Sequence, residues 1–179
     1  MVAPRLDTLD WIMGSSLFSF PNPVNEKAAR TVAFAVMLMS AIILVSSAYW
    51  LLIPLAYGFV ARAMTGPSLS PLGRLASSVI APALGSERPV PGPPKRFAQG
   101  IGAIISVAAA VAALGFGDGP LADVLLVMLI LAAALESLLG LCLGCHLFRV
   151  LMRTGLIPAD VCEECADIWA RPRQASAGG

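Results

Sequence analysis

Residues 31–64 read TVAFAVMLMSAIILVSSAYWLLIPLAYGFVARAM and carry one charge, Arg62, near their end. A single helix of about 34 residues would be roughly 51 Å long, against a hydrocarbon core of ~30 Å. Two helices joined by a tight turn fit that thickness. Ser46, Ser47, Tyr49 and Trp50 supply polar and amphipathic residues where the turn is needed, and Tyr and Trp favour the membrane interface. The pattern predicts a first span over 30–47 and a second over 50–65, with Pro54 expected to kink the second.

The whole chain agrees with a membrane reading. Of its 179 residues 58% are hydrophobic and 13% charged, and its mean hydropathy is +0.81. A soluble domain carries about 45–50% apolar and about 25% charged residues. The net charge of +1 gives no nucleic-acid signal. Residues 1–29 form a mixed segment expected to be cytosolic or interfacial, with Trp11 at headgroup depth. They lack the basic start and cleavage site of a signal peptide, so insertion is expected to rely on the first span. Pro21 and Pro23 break the chain, and Asn25-Glu26 suits a helix start.

Residues 65–98 form a long connection with proline-rich ends. Between those ends Leu72, Leu75, Val79, Ile80 and Leu84 have near-helical spacing, which predicts a short helix on the membrane surface. A third span over 97–116 is rich in Gly, Ala and Ser, residues that let helix backbones approach closely. The turn G-F-G-D-G-P leads to a fourth span over 121–145, expected to continue as helix to Thr154. The expected fold is therefore all-α: an integral membrane four-helix bundle of two transmembrane hairpins, with an interfacial helix in the connecting loop. Its membrane domain covers 30–154, and 155–179 form a cytosolic, cysteine-containing tail, partly disordered. P-N-P-V-N-E-K-A-A-R and P-G-P-P-K-R-F-A-Q lead into the two hairpins and form a weak parallel repeat.

All twelve basic residues lie outside the core of the spans, and neither tight turn contains Lys or Arg. The positive-inside rule puts both termini and the long connection on the cytosolic side of the cell (inner) membrane. The thiols would then face a reducing compartment.

The chemistry-bearing stretch is Glu136 to Arg149, E-S-L-L-G-L-C-L-G-C-H-L-F-R. On a continuous helix Cys142 and Cys145 share a face. His146 follows Cys142 by four residues and Arg149 follows Cys145 by four, and a nearby cation raises the thiolate fraction. Glu136 is the one acid deep in a span: either a proton-carrying functional residue or a protonated packing residue. Gly140 and Gly144 form a G-x-x-x-G stripe suited to helix–helix assembly. Cys162 and Cys165 complete C-x2-C-x16-C-x2-C, a spacing that also fits a four-thiolate zinc site. The readings left open are a redox or sulfur-handling dithiol without cofactor, a structural zinc site, and inert residues in a non-catalytic membrane subunit or adaptor. Cys142-Leu-Gly-Cys145-His146 also spells the haem c attachment string, but that attachment is made outside the cytosol. No phosphate-binding loop, Ser/His/Asp set or second histidine is present.

Three stretches carry a family resemblance. P-P-K-R-F-A-Q at 93–99, P-x-x-x-L-A-S-S-V-I-A-P-A-L-G at 71–85 and L-L-G-L-C-L-G-C at 138–145 resemble a bacterial membrane family known as domain of unknown function 4395. The resemblance covers roughly residues 21–155. Its members commonly have Glu where His146 stands, which argues against a ligand role for this histidine. They are often encoded near thioredoxin-like or sulfurtransferase-like proteins, which implies such a soluble partner. The Cys162/Cys165 tail lies outside the resemblance. The expected function is a cytosol-facing dithiol, Cys142 and Cys145, in thiol redox or sulfur transfer, with Glu136, His146 and Arg149 assisting.

Overall fold

The computed structural model describes residues 22–86 and 88–157. The interfacial reading of the N-terminus and the second cysteine pair, Cys162 and Cys165, lie outside the described residues. A two-residue strand β1 (Val24–Asn25) leads into helix α1 (Glu26–Ser46). A 3₁₀ turn (Tyr49–Leu51) precedes α2 (Leu52–Thr65). Pro71–Leu75, Ala76–Ile80 and Ala81–Ala83 run on as one helical segment, α3, with a π-type middle. Strand β2 (Pro89–Val90) pairs antiparallel with β1. Then come α4 (Gly92–Gly115, π-type in its last turn), α5 (Gly119–Leu139) and α6 (Leu143–Arg153).

The helix starts obey local rules. The Asn25 side chain accepts from the Lys27 N–H at 3.0 Å and caps α1. Ser70 caps α3 and Asp118 caps α5 by the same device, each with Pro in the first turn. Ser47, in the left-handed region at φ 53°, ends α1 inside the expected turn. The connection contains the expected short helix, α3. Its small residues Gly73, Ala76 and Ala81 are buried while Leu75 and Val79 are exposed.

α1 packs along α5, α2 along α4, and α4 also touches α5 and α6. The core between them is built from Val32, Val36, Ile43, Leu52, Leu55, Phe59, Leu126 and Leu129 with small residues between. Gly102 shows why α4 needs such residues: a Cβ there would lie 2.2 Å from the Phe59 ring. Polar residues sit inside, with Ser40 and Ser106 at 0% exposure, while Phe34, Ile42, Ile53, Ile104, Leu121 and Leu131 face outward. α1, α4 and α5 are long and apolar enough to cross a membrane. α2 is shorter, about 21 Å for its 14 residues, or ~25 Å with the preceding 3₁₀ turn.

One expectation is corrected. The helix does not run unbroken from 121 to Thr154. α5 stops at Leu139, Gly140 takes a left-handed conformation (φ 71°), and α6 begins afresh at Leu143. The Gly140 N–H returns to the Glu136 carbonyl at 3.1 Å, the usual glycine closure of a helix end. Gly140 and Gly144 therefore do not form a stripe on one helix. Gly144 is used within the chain, since a Cβ there would meet Ala98 of α4 at 2.5 Å.

Candidate functional site: a cysteine-capped helix beside buried charges

The break at Gly140 moves the cysteines from a helix interior to a helix start. Cys142 has an extended backbone (φ −88°, ψ 105°), and its Sγ accepts from the Cys145 N–H at 3.3 Å. The thiol thus occupies the N-cap position, where a side-chain acceptor satisfies an otherwise orphaned donor. The first helical bond, from the His146 N–H to the Cys142 carbonyl, follows at 3.0 Å. Two contacts dock α6 on α4: Gly144 against Ala98, and Phe148 against Phe97 with ring centroids 5.6 Å apart.

The broken end of α5 is held from another helix. Arg30 of α1 donates from Nε and Nη2 to the Ser137 carbonyl (3.2 and 3.0 Å) and from Nη2 to the Leu138 carbonyl (3.0 Å). A cation on the last carbonyls of a helix satisfies orphan acceptors and complements the helix dipole.

Both thiols are free; Cys142 is buried and Cys145 half-buried. Cys142 is held below the ordinary thiol range chiefly because the Cys145 thiol donates a hydrogen bond to it. The Lys95 charge and the Cys145 N–H act the same way, against burial and the Glu136 carboxylate. Cys145 is pushed up by the same thiol–thiol bond and by burial. The first proton to leave the pair therefore leaves Cys142.

Glu136 is ion-paired. Lys95 Nζ donates to its Oε1 at 2.5 Å, with both side chains largely out of solvent. The side-chain partner of Glu136 is thus Lys95, on another helix. Glu136, Cys142, Gly144, Gln99 and Phe59 line one cavity of about 350 Å³. Among the described residues no side-chain hydrogen bond or ion pair joins His146 or Arg149 to either thiol, and His146 is exposed on α6. The cation that acts on Cys142 is Lys95, which sequence reasoning left among the connecting residues. Sequence reasoning also missed Arg30, Arg62 and Gln99. A signal was present: a single deep carboxylate calls for a cation, and Lys95 and Arg62 stand at neighbouring span ends.

A search of curated proteins and a search of solved structures each returned no match. The family model DUF4395, a domain of unknown function, matches residues 24–153. Those bounds run from β1 through the last residue of α6 and take in both the Lys95–Glu136 pair and the capping cysteine. The chain belongs to the DUF4395 family.

Proposed function

We propose that Cys142 and Cys145 are the working dithiol of an integral membrane protein that exchanges electrons with the disulfide of a soluble, thioredoxin-like partner. The observation that carries this reading is the cap: Cys142 Sγ stands at the N-terminus of α6 and accepts the Cys145 N–H. A helix N-terminus and a nearby lysine both favour thiolate over thiol. The chemistry then balances in two steps. The Cys142 thiolate attacks one sulfur of the partner disulfide, and the other partner sulfur leaves as a thiolate that takes a proton. Cys145 loses its proton and attacks Cys142 Sγ, expelling the remaining partner sulfur as the second thiol. Two electrons pass to the partner, and a Cys142–Cys145 disulfide remains for re-reduction by a dithiol. A sulfane-sulfur donor would react at the same atom, leaving a persulfide on Cys142 and releasing the donor thiolate.

In this reading four helices, α1, α2, α4 and α5, cross the bilayer as two hairpins, with α3 and α6 at the surface. Lys27, Arg30 and Arg96 stand at the dithiol end, and Asp118 and Asp123 at the other. The positive-inside rule then turns the dithiol toward the cytosol, where thiols are kept reduced.

The test is thiol–disulfide exchange by the full chain, reconstituted in vesicles, with a thioredoxin-like protein as reactant. Cys142→Ser is expected to abolish exchange, and Cys145→Ser to trap a mixed disulfide at Cys142. Exchange undiminished in Cys142→Ser would refute the reading.

A further inference from the structure

A second cavity lies beside the first, on the far side of the Lys95–Glu136 pair. It has a volume of about 190 Å³, and Arg62, Lys95, Gln99 and Asn25 are among its lining residues. It shares Val32 and Gln99 with the cavity that Cys142 lines.

Arg62 is only 5% exposed. Its Nε donates to Gln99 Oε1 at 3.0 Å and its Nη1 to Ser70 Oγ at 3.1 Å. Its Cζ stands 4.8 Å from the centre of the Phe59 ring. Gly58, one turn earlier, leaves room for the guanidinium; a Cβ there would meet Nη1 at 3.1 Å. Among the described residues the buried Nη2 has no hydrogen-bond partner. Orphaned buried donors are rare and costly, and more so when the group is charged.

The charges do not balance. Lys95 is matched by Glu136. Among the described residues no carboxylate forms an ion pair with Arg62. Glu136 also acts on Arg62, so among the described residues two cations share one carboxylate and one positive charge is left in excess beside the cavity. Lys95 Nζ, with three donors and one spent on Glu136, adds further protons at the same cavity.

We infer that this cavity binds a small phosphate- or sulfate-like oxyanion beside Arg62 and Lys95. At a water's share of roughly 30 Å³, the space has room for one such group together with several waters. Planar forks of guanidinium donors suit tetrahedral oxyanions. The chemistry is shared by free phosphate or sulfate and by the phosphoester of an anionic lipid. The inference does not rest on the dithiol reading.

Gln99 offers a sharp test. Its oxygen takes Arg62 Nε, while its amide nitrogen cannot accept from Nη2. Gln99→Glu supplies a carboxylate for both donors side-on, and so supplies the missing charge from within. The full chain is melted in detergent under reductant at fixed ionic strength, with phosphate or sulfate titrated against chloride. Phosphate or sulfate is expected to raise the midpoint saturably. Arg62→Lys should raise the half-saturating concentration at least tenfold. Gln99→Glu should melt higher than the native chain without anion and should not respond to it. Cys142→Ser should respond as the native chain does. A second arm compares phosphatidylglycerol with phosphatidylcholine nanodiscs free of soluble phosphate. Stabilisation in that arm alone, abolished by Gln99→Glu, assigns the oxyanion to a lipid headgroup. No response in either arm, or a Gln99→Glu response equal to the native one, overturns the inference.

Discussion

The two ends of the helix assembly are closed by different means. At the end formed by the 3₁₀ turn and the α4–α5 turn, closure is local and ordinary. Asp118 caps α5, the Tyr49 hydroxyl donates to Asp123 at 3.0 Å, and Gly119 lets that phenol approach to 3.0 Å of where a Cβ would stand. Nothing charged is buried there. At the other end a lysine and an arginine are buried, a carboxylate stands in the last turn of α5, and a helix is broken and restarted on a cysteine. Buried ion pairs are weak contributors to stability, because desolvation offsets much of their attraction. The contrast teaches where to look for function: one end is closed, and the other is kept chemically charged at some cost.

The largest expected effect tests that contrast at Lys95. Lys95→Met leaves the part-buried Glu136 without its ion-pair partner; breaking a fully buried pair costs about 3–5 kcal/mol, which bounds the effect from above. Unfolding of the purified protein should show a drop within that bound. Lys95→Met combined with Glu136→Leu, which removes both charges, should recover most of it. Equal losses in the single and double variants would mean that the pair is not the source.

Gly144→Ala comes next. The added methyl meets Ala98 of α4 at 2.5 Å, so α6 must shift from its seat, at about 1–3 kcal/mol. Cysteine reactivity should change in the same variant, because the capping turn moves with α6. Tyr49→Phe is the mildest. It removes one hydrogen bond at the closed end, worth ~1 kcal/mol, and should leave cysteine reactivity untouched. Altered reactivity in Tyr49→Phe would erase the distinction between the ends.

Much of this architecture was legible in the residues. The Asn25 cap, the turn near Ser47, the short helix within 71–84 and the small-residue character of α4 all follow from local signals. The break at Gly140 was not. In L-L-G-L-C-L-G-C the apolar pattern runs through without interruption, and a glycine reads equally well as a packing residue or a helix end. Only the left-handed backbone at Gly140 and the Arg30 side chain, more than a hundred residues away, decide between them. The Lys95–Glu136 pair was hidden for a related reason. Lys95 sits in P-P-K-R, which reads as a headgroup-level lead-in, and its partner is 41 residues away on another helix. His146 and Arg149 were favoured because spacing along one helix is visible and pairing between helices is not.

The central claim is that Cys142, as the cap of α6, is the thiolate of the pair. Its most direct measurement is the alkylation rate of each cysteine in the full chain as a function of pH, resolved by peptide mass spectrometry. Cys142 should react first, with a midpoint below the ordinary thiol value of 9.0, and Cys145 only at higher pH. The sign follows from stabilisation of the thiolate: its fraction rises as pH passes a lowered midpoint. Cys145→Ala removes the donated thiol proton and should move the Cys142 midpoint upward. Cys145 reacting first, or a Cys142 midpoint that Cys145→Ala leaves in place, would contradict the account.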